Sequence, residues 1–239
     1  MNIILCGYGR MGAMLESLIV PSEDMEIIGV VHPGLFESAL DVPGKADVIV
    51  DFSYPGNLEG VLARAKRDHC AVVLGTTGLT EEQAQAVAEA AREVPIVHAS
   101  NFSLGVAVLR RAVKDAAAIL KDSGFDIEIV EAHHNQKVDA PSGTAKALLK
   151  AVDPEGEYAV VPGRDGIVGK RGHEIGVHAL RGGTVAGEHS VFFFGEDEIL
   201  EFRHSAASRK IFAVGALKAA RFAVQREPGL YSVDDMLFN

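Results

Sequence analysis

Short apolar runs recur along the first hundred residues, and each run is continuous rather than alternating. Their Val- and Ile-rich composition is typical of strands buried on both faces of a parallel sheet. Segments with a helical pattern lie between them, and one opens with the capping-box sequence Thr80-Glu81-Glu82-Gln83. This alternation predicts a doubly wound α/β domain with right-handed crossovers. The runs cover residues 3–6, 25–31, 46–53, 70–78 and 94–102, and the helical segments cover residues 10–19, 56–68 and 80–92.

The pattern changes after residue 105. A long helical segment covers residues 106–121, and residues 125–132 alternate like a half-exposed strand. Three more strand-like segments follow between residues 174 and 206 without helices between them, and an Ala-rich helical segment covers residues 207–225. Runs of strands without intervening helices favour an open mixed or antiparallel sheet. The sequence therefore predicts a second domain inserted before a closing helix.

Composition narrows the class of protein. The chain has 239 residues and a formal net charge of −10 at pH 7, with no basic block, so we expect no nucleic-acid partner. The first apolar run is too short for a membrane span or a signal peptide, which favours a cytoplasmic protein without a membrane partner. Cys6 and Cys70 are the only cysteines, and they indicate neither a disulfide framework nor a Cys-based metal site.

A glycine-rich segment directly follows the first apolar run. Gly7-Tyr8-Gly9-Arg10-Met11-Gly12 fits G-x-G-x-x-G, and it stands between a predicted strand and a predicted helix, as the motif requires. Glycine lets the backbone approach a pyrophosphate, and the helix N-terminus offers unpaired N–H groups. Arg10 could add positive charge beside the phosphates. The segment predicts a dinucleotide site, and the alternative is a glycine turn that binds no ligand.

The predicted fold is therefore a Rossmann-like doubly wound parallel sheet with an inserted α+β substrate domain built on an open mixed sheet. The dinucleotide-binding domain would comprise residues 1–103 plus 212–239. Residues 104–211 would form the inserted second domain, to which the family resemblance given below assigns substrate binding and oligomerisation.

In dinucleotide-binding folds an acidic residue after the second strand usually hydrogen-bonds the adenosine ribose. His32 occupies that position here, so the sequence leaves the choice between NADH and NADPH open. His32 could contact a 2′-phosphate, lie near adenine or be a surface histidine. The carboxyl ends of later strands meet at the same crevice. The candidate contacts there are Asp51, Gly75, Thr76, Thr77, Ala99, Ser100, Asn101 and Phe102, and the alternative is that they form ordinary turns between strand and helix.

Residues 131–145, EAHHNQKVDAPSGTA, concentrate groups that transfer protons or bind anions. His133 and His134 follow a strand, so their side chains point in different directions. Lys137 could bring an ammonium group into the same space. A helix is predicted over residues 145–150, capped by Ser142 or its neighbour, and the free N–H groups of Gly143 and Thr144 before it would suit a carboxylate. Together they indicate a proton donor, a cationic clamp and a carboxylate cradle.

Residues 131–145 also allow three other interpretations. A metal site from Glu131, His133 and His134 lacks the H-E-x-x-H spacing, so we expect no metal. A serine nucleophile at Ser142 fails because Lys146 is the fourth residue after it, not the third. A polar loop beside a capped helix, without catalytic function, remains an alternative.

These motifs resemble one known family. The segments GYGRMG, DFS, GTTG, ASNFSLGV and EAHHNQKVDAPSGTA, with RGGTVAGEHSVFFFG and HSAASRKIFAVGALKAARF, look like 4-hydroxy-tetrahydrodipicolinate reductase (dihydrodipicolinate reductase), in order along nearly the whole chain. The resemblance implies reduction of 4-hydroxy-tetrahydrodipicolinate to tetrahydrodipicolinate by NADH or NADPH, in diaminopimelate and lysine biosynthesis. It also implies a homotetramer whose second domain binds the cyclic dicarboxylate.

The resemblance assigns roles residue by residue. His133 matches the family's acid/base histidine, and Lys137 its proton-donating or substrate-orienting lysine. His134, Gly143 and Thr144 match substrate contacts. The glycine segment 7–12 and residues 75–77 and 99–102 match cofactor contacts. The chain departs from the pattern after its second strand, which lacks the acidic-plus-basic pair of some members.

The sequence is also compatible with two other functions. One is a different dehydrogenase that acts on an amino or keto dicarboxylate. The other is a nucleotide-sensing protein without chemistry, which would have no need for a His-His-Lys cluster.

Overall fold

The computed structural model describes residues 1–239, which form eleven β-strands and seven α-helices. The strands are β1 Asn2–Cys6, β2 Glu26–Val31, β3 Val48–Asp51, β4 Ala71–Leu74, β5 Pro95–His98, β6 Asp126–His133, β7 Ala159–Val161, β8 Glu174–Arg181, β9 Glu188–Phe194, β10 Ile199–Ser205 and β11 Gly229–Tyr231. The helices are α1 Arg10–Ile19, α2 Leu58–Asp68, α3 Glu81–Ala90, α4 Leu104–Leu120, α5 Gly143–Val152, α6 Lys210–Ala223 and α7 Val233–Phe238.

The chain divides into two compact units. One comprises Met1–Leu104 with Lys210–Asn239, and the other comprises Gly105–Arg209. The sequence predicted breaks after residues 103 and 211. None of the helices is both long and apolar enough to cross a membrane.

The first unit is built on a six-stranded parallel sheet in the order β11-β5-β4-β3-β1-β2. Every residue of β3 and β4 is buried, which explains why these runs are continuously apolar. Helices α2 and α3 pack with Ile4, Ile49 and Val72 in one core cluster, whereas α1 and α6 contact each other outside it. The predicted Rossmann-like parallel sheet is confirmed.

The second unit is built on a five-stranded mixed sheet in the order β10-β9-β6-β8-β7. Strand β6 runs antiparallel to β9 and parallel to β8, so the predicted mixed sheet is also confirmed. Ile127, Ile129 and Phe193 form the core of this unit with apolar residues of α4 and α5. Since side chains alternate along a strand, Glu131 and His133 lie on the same face of β6 as Ile127 and Ile129.

Some local elements differ from the prediction. Strands β7 and β11 were not predicted, because each has only three residues and shows no readable period. Helix α5 begins at Gly143 rather than at residue 145, because Ser142 caps it: Ser142 Oγ accepts a hydrogen bond from Ala145 N at 3.2 Å.

Candidate active site

The glycine segment forms a tight turn between β1 and α1. Gly7 has φ +89°, and a Cβ atom there would lie 2.5 Å from Phe52 O, so glycine is required. A Cβ atom at Gly12 would lie 2.2 Å from Gly7 O, which excludes larger residues there too. Gly9 differs, because nothing lies within 4 Å of its Cβ position. It precedes the first residue of α1 without a side-chain cap, so open space faces the helix N-terminus.

The side chains around this turn leave its outer surface polar. Tyr8 and Arg10 are exposed, and Met11 is half-buried. The Tyr8 hydroxyl donates a hydrogen bond to Glu16 Oε2. The Tyr8 ring meets the His32 ring edge-on, with 5.9 Å between centroids. His32 therefore lies beside the glycine turn.

Asp51 at the end of β3 is fully buried and organises two neighbouring turns. Its Oδ2 accepts a hydrogen bond from Thr76 Oγ1 at 2.8 Å, and its Oδ1 accepts hydrogen bonds from the N–H and hydroxyl groups of Ser53. Burial raises the pKa of Asp51 above its usual value, although the hydrogen bonds from Ser53 and Thr76 oppose that shift. Both carboxylate oxygens are thus used within the protein, and the side chain links the ends of β3 and β4.

The remaining candidate cofactor residues meet at the carboxyl ends of β3, β4 and β5. A Cβ atom at Gly75 would lie 2.4 Å from Phe52 Cε1, and the Phe52 and Phe102 rings pack at 5.6 Å. Thr77 and Ser100 are exposed, while Ala99 and Asn101 are half-buried. Asn101 Oδ1 accepts a hydrogen bond from Ser103 N at 2.8 Å. The parallel sheet therefore gathers these residues at one edge, where doubly wound sheets bind ligands.

Glu131 is the centre of a second polar cluster, in the other unit. It is 0% exposed, and its Oε2 lies 2.6 Å from His133 Nδ1. Arg181 donates to both carboxylate oxygens, at 2.7 Å and 2.8 Å, and Ser142 N donates to Oε1 at 2.9 Å. Burial alone would raise the pKa of Glu131, but these hydrogen bonds hold it below the usual value. Glu131 is therefore a buried, ionised acceptor.

His189 packs against the same cluster from β9, where it pairs with Glu131 across the sheet. Its ring meets the His133 ring edge-on at 5.1 Å, and its Nε2 lies 3.1 Å from Ser142 Oγ. Its Nδ1 is buried without a hydrogen-bond partner. Burial and then the neighbouring His133 lower the pKa of His189 to about 4, so it is neutral at pH 7.

The candidate substrate contacts surround this cluster. His134 Nε2 accepts a hydrogen bond from Arg209 Nη2 at 3.1 Å. Lys137 Nζ lies 2.7 Å from Asp139 Oδ1, on the loop between β6 and α5. Nothing lies within 4 Å of the Cβ position of Gly143, so the first turn of α5 faces open space. Thr144, the next residue of that turn, is half-buried.

The structure thus gathers the predicted site residues into two sets. Those of the glycine turn and the strand ends belong to the first unit, and residues 133–144 belong to the second. The described chain holds no group of three or more His, Cys, Asp or Glu side chains arranged to bind a metal ion. Arg181, His189 and Arg209 lie beside the second set but were not predicted, because each comes from a distant segment of the chain. The available signals were a charged residue that ends the strand-like segment EIGVHALR, for Arg181, and a histidine near the start of β9, for His189.

In comparisons with known proteins, both units match parts of the same protein family. The family "Dihydrodipicolinate reductase, N-terminus" matches residues 1–102, and "Dihydrodipicolinate reductase, C-terminus" matches residues 105–237. The 4-hydroxy-tetrahydrodipicolinate reductase of Caldanaerobacter subterraneus subsp. tengcongensis is 41% identical over 96% of this chain and 94% of its own. That of Methanoregula boonei is 41% identical over 99% of this chain and 97% of its own.

A solved structure shows the same fold. Dipicolinate-bound dihydrodipicolinate reductase from Paenisporosarcina sp. TG-14 superposes with a TM-score of 0.79 at 23% sequence identity, covering 99% of each chain. The first unit is accordingly a nucleotide-binding Rossmann-like domain. With both family matches covering nearly the whole chain, the resemblance seen in the sequence is confirmed, and the protein belongs to the dihydrodipicolinate reductase family of oxidoreductases.

Proposed function

We propose that this protein reduces 4-hydroxy-tetrahydrodipicolinate to tetrahydrodipicolinate with NADH or NADPH, with proton transfer assisted by His133 or Lys137. The observation that carries the proposal is the cluster in which Glu131 holds His133 while His134, Arg209 and Lys137 lie nearby. A titratable imidazole beside several cationic groups suits acid catalysis on an anionic substrate.

The substrate carries two carboxylates, and the second unit offers separate groups for them. Arg209 and His134 form one polar pair, and the N-terminus of α5 at Gly143 and Thr144 offers N–H groups and a favourable dipole. Lys137 adds a positive charge on the loop before that helix. The relative from Paenisporosarcina binds dipicolinate, a cyclic dicarboxylate, which supports this class of ligand here.

The chemistry requires one hydride and one proton. The product lacks the 4-hydroxyl group of the substrate, so a hydride from the nicotinamide must enter the ring and the hydroxyl must leave with a proton as water. The nicotinamide cofactor supplies the hydride when it is bound. A protein group supplies the proton, and His133 and Lys137 are the two donors of the cluster that can do so.

The first unit would hold the dinucleotide at its glycine turn. The open space at Gly9 before α1 suits a pyrophosphate, and Arg10 adds positive charge. We further propose that Gly75 to Thr77 and residues 99–102 contact the nicotinamide half, because they stand at the carboxyl ends of β4 and β5. Asp51 would support these contacts through Thr76 rather than touch the cofactor.

We also propose that the protein is a homotetramer, assembled through the face of the second sheet opposite to α4 and α5. That face carries Val130, Leu180, Phe192, Phe194 and Ile199. Leu180 is 57% exposed and Ile199 is 64% exposed. Exposed apolar side chains on a sheet face, here beside polar groups such as the Glu128–His178 pair, are typical of a surface that contacts other subunits.

A spectrophotometric assay tests the proposed reduction. The substrate is generated enzymatically, and oxidation of NADH and of NADPH is followed in parallel. We expect oxidation that depends on the cyclic substrate, and far slower oxidation with amino and keto dicarboxylates. Preference for one of those acids would indicate a different dehydrogenase. Nicotinamide binding without oxidation under any substrate would overturn the proposal in favour of a sensor.

A further inference from the structure

We infer that Glu131 is a positioning residue for the proposed acid: it fixes His133 with its proton on Nδ1 and so directs Nε2 to the reacting substrate. The inference rests on the proposed function, since it assigns a task to a residue that would not touch the substrate.

The hydrogen bond to Glu131 determines which ring nitrogen of His133 carries a proton. An ionised carboxylate only accepts hydrogen bonds, so the 2.6 Å contact to Glu131 Oε2 requires a proton on His133 Nδ1. In the charged imidazolium, the second proton is then on Nε2. When it is donated, the Nε2–H bond breaks, its electron pair stays on Nε2, and the leaving hydroxyl oxygen takes the proton. Glu131 keeps the same hydrogen bond throughout, and solvent returns a proton to Nε2.

Arg181 and Ser142 explain why Glu131 itself stays ionised. Arg181 donates to both oxygens through its two terminal nitrogens, and Ser142 N donates to Oε1. This bidentate geometry is the strong form of an arginine–carboxylate pair. Glu131 is also fully buried, so no solvent competes for its oxygens. The carboxylate can therefore hold the imidazole without taking its proton.

The same pair connects the other parts of the candidate site. Arg181 Nη2 donates to Asp139 O at 2.6 Å, on the loop that carries Lys137. Glu131 also holds the backbone of Ser142, the residue that caps α5. The Glu131–Arg181 ion pair thus holds the proposed acid His133, the loop that carries Lys137 and the N-terminal end of α5. Loss of Glu131 should therefore reduce the rate of the chemical step.

A purely structural ion pair is the competing explanation, and the chain provides a matched control. Glu128 lies on the same strand but on the opposite face. Its Oε2 lies 2.7 Å from His178 Nε2, and its Oε1 lies 3.0 Å from Arg164 Nη2. Glu128 therefore has the same kinds of partner as Glu131, a histidine and an arginine, without proximity to the candidate site.

The test compares Glu131→Gln with Glu128→Gln. We expect kcat to fall roughly 100-fold in Glu131→Gln, with the dissociation constants of NADH and NADPH unchanged. Glu128→Gln should keep kcat within about twofold of the wild-type value. Because Glu128 lies on the proposed assembly face, both variants are compared at the oligomeric state of the wild type, checked by size-exclusion chromatography. Equal losses of kcat in both variants would show a general structural effect and overturn the inference.

A second measurement needs no variant at position 131. In wild-type protein with 15N-labelled histidine, NMR reports which ring nitrogen of neutral His133 carries the proton, and His133→Gln identifies the signal. We expect the Nδ1–H tautomer, whereas the Nε2–H tautomer would overturn the inference. Full kcat in Glu131→Gln beside a large loss in His133→Gln would overturn the positioning role and leave the proposed reduction intact. Wild-type protein without reductase activity would instead overturn the proposed function.

Discussion

Gly187 lies directly against the imidazole of His133. A Cβ atom at position 187 would lie 3.1 Å from His133 Nε2 and 3.5 Å from Cδ2. Gly187 also has φ +154°, a conformation that side chains rarely adopt. Because Gly187 has no side chain, the space beside His133 Nε2 stays open, and Nε2 is the ring nitrogen that does not contact Glu131.

Replacing this glycine should therefore impair catalysis. We expect Gly187→Ala to lower kcat at least tenfold, because the new methyl group crowds Nε2 and displaces the ring. Affinity for NADH and NADPH should not change. Steady-state kinetics and cofactor titration check both points. Gly163→Ala is the control, since Gly163 has nothing within 4 Å of its Cβ position. An unchanged kcat in Gly187→Ala would show that Nε2 is not the reacting atom.

Variants of His133 and Lys137 should separate the two proton-donor assignments. If His133 is the acid, His133→Gln should lower kcat by roughly 10² to 10⁴, with little effect on cofactor binding. Lys137→Gln should then mainly raise KM for the dicarboxylate, because in this assignment Lys137 would bind a carboxylate of the substrate. The two constants are measured for each variant in the same assay. A large loss of kcat in Lys137→Gln beside normal turnover in His133→Gln would reverse the assignment.

The lowered pKa of His189 leads us to expect that the folded protein loses stability in mild acid. Its pKa is about 4 in the folded protein and 6.5 in its ordinary state, so between these values the unfolded chain binds more protons. Stability should therefore fall as the pH falls from about 6.5 to about 4. The groups that shift this pKa besides burial are His133, Glu131, His204 and Lys137.

Urea denaturation at pH 7 and pH 5 measures this effect. Between these two pH values, the wild-type protein should lose on the order of 2 kcal/mol more stability than His189→Gln. The lowered pKa values of His98 and His204 contribute to both proteins, so the comparison isolates His189. If the wild-type protein and His189→Gln lose the same free energy of unfolding between pH 7 and pH 5, His189 is not buried in its neutral form.

The glycine turn should respond differently at two of its positions. Gly9→Val should raise the dissociation constant of the dinucleotide at least tenfold and leave thermal stability nearly unchanged, because Gly9 faces open space. Gly12→Val should instead destabilise the fold, because its Cβ would lie 2.2 Å from Gly7 O. Calorimetric titration and thermal melts distinguish the two effects. Normal cofactor binding by Gly9→Val would contradict a pyrophosphate site at this turn.

The open face of the second sheet should control assembly. We expect Phe192→Lys to break the tetramer into smaller species, because the charge would be buried between subunits. Light scattering after size-exclusion chromatography gives the mass. Ile119→Lys on α4 is the control, since Ile119 is 73% exposed on a helix that covers the opposite face. A tetrameric Phe192→Lys protein would place the interface elsewhere.

The sequence by itself determined the features that depend on near neighbours along the chain. Continuous apolar runs predicted β1, β3 and β4, helix periodicity predicted α1 with its observed limits, and the glycine spacing predicted the turn between β1 and α1. The segment around His133 was identified from its composition alone. These signals are local, because hydrophobic period, capping and turn chemistry act over a few residues.

Only the tertiary structure decided which groups surround those residues. Arg181 reaches Glu131 across 50 residues of sequence, and Arg209 reaches His134 across 75. The sequence placed Asp51 at a strand end as a candidate cofactor contact, but it did not show that the Asp51 oxygens accept hydrogen bonds from Ser53 and Thr76. Strand register and long-range packing determine such hydrogen bonds, and a one-residue shift in register would turn each side chain to the other face. The chemical identity of the candidate site was therefore local, whereas the environment of each of its groups was not.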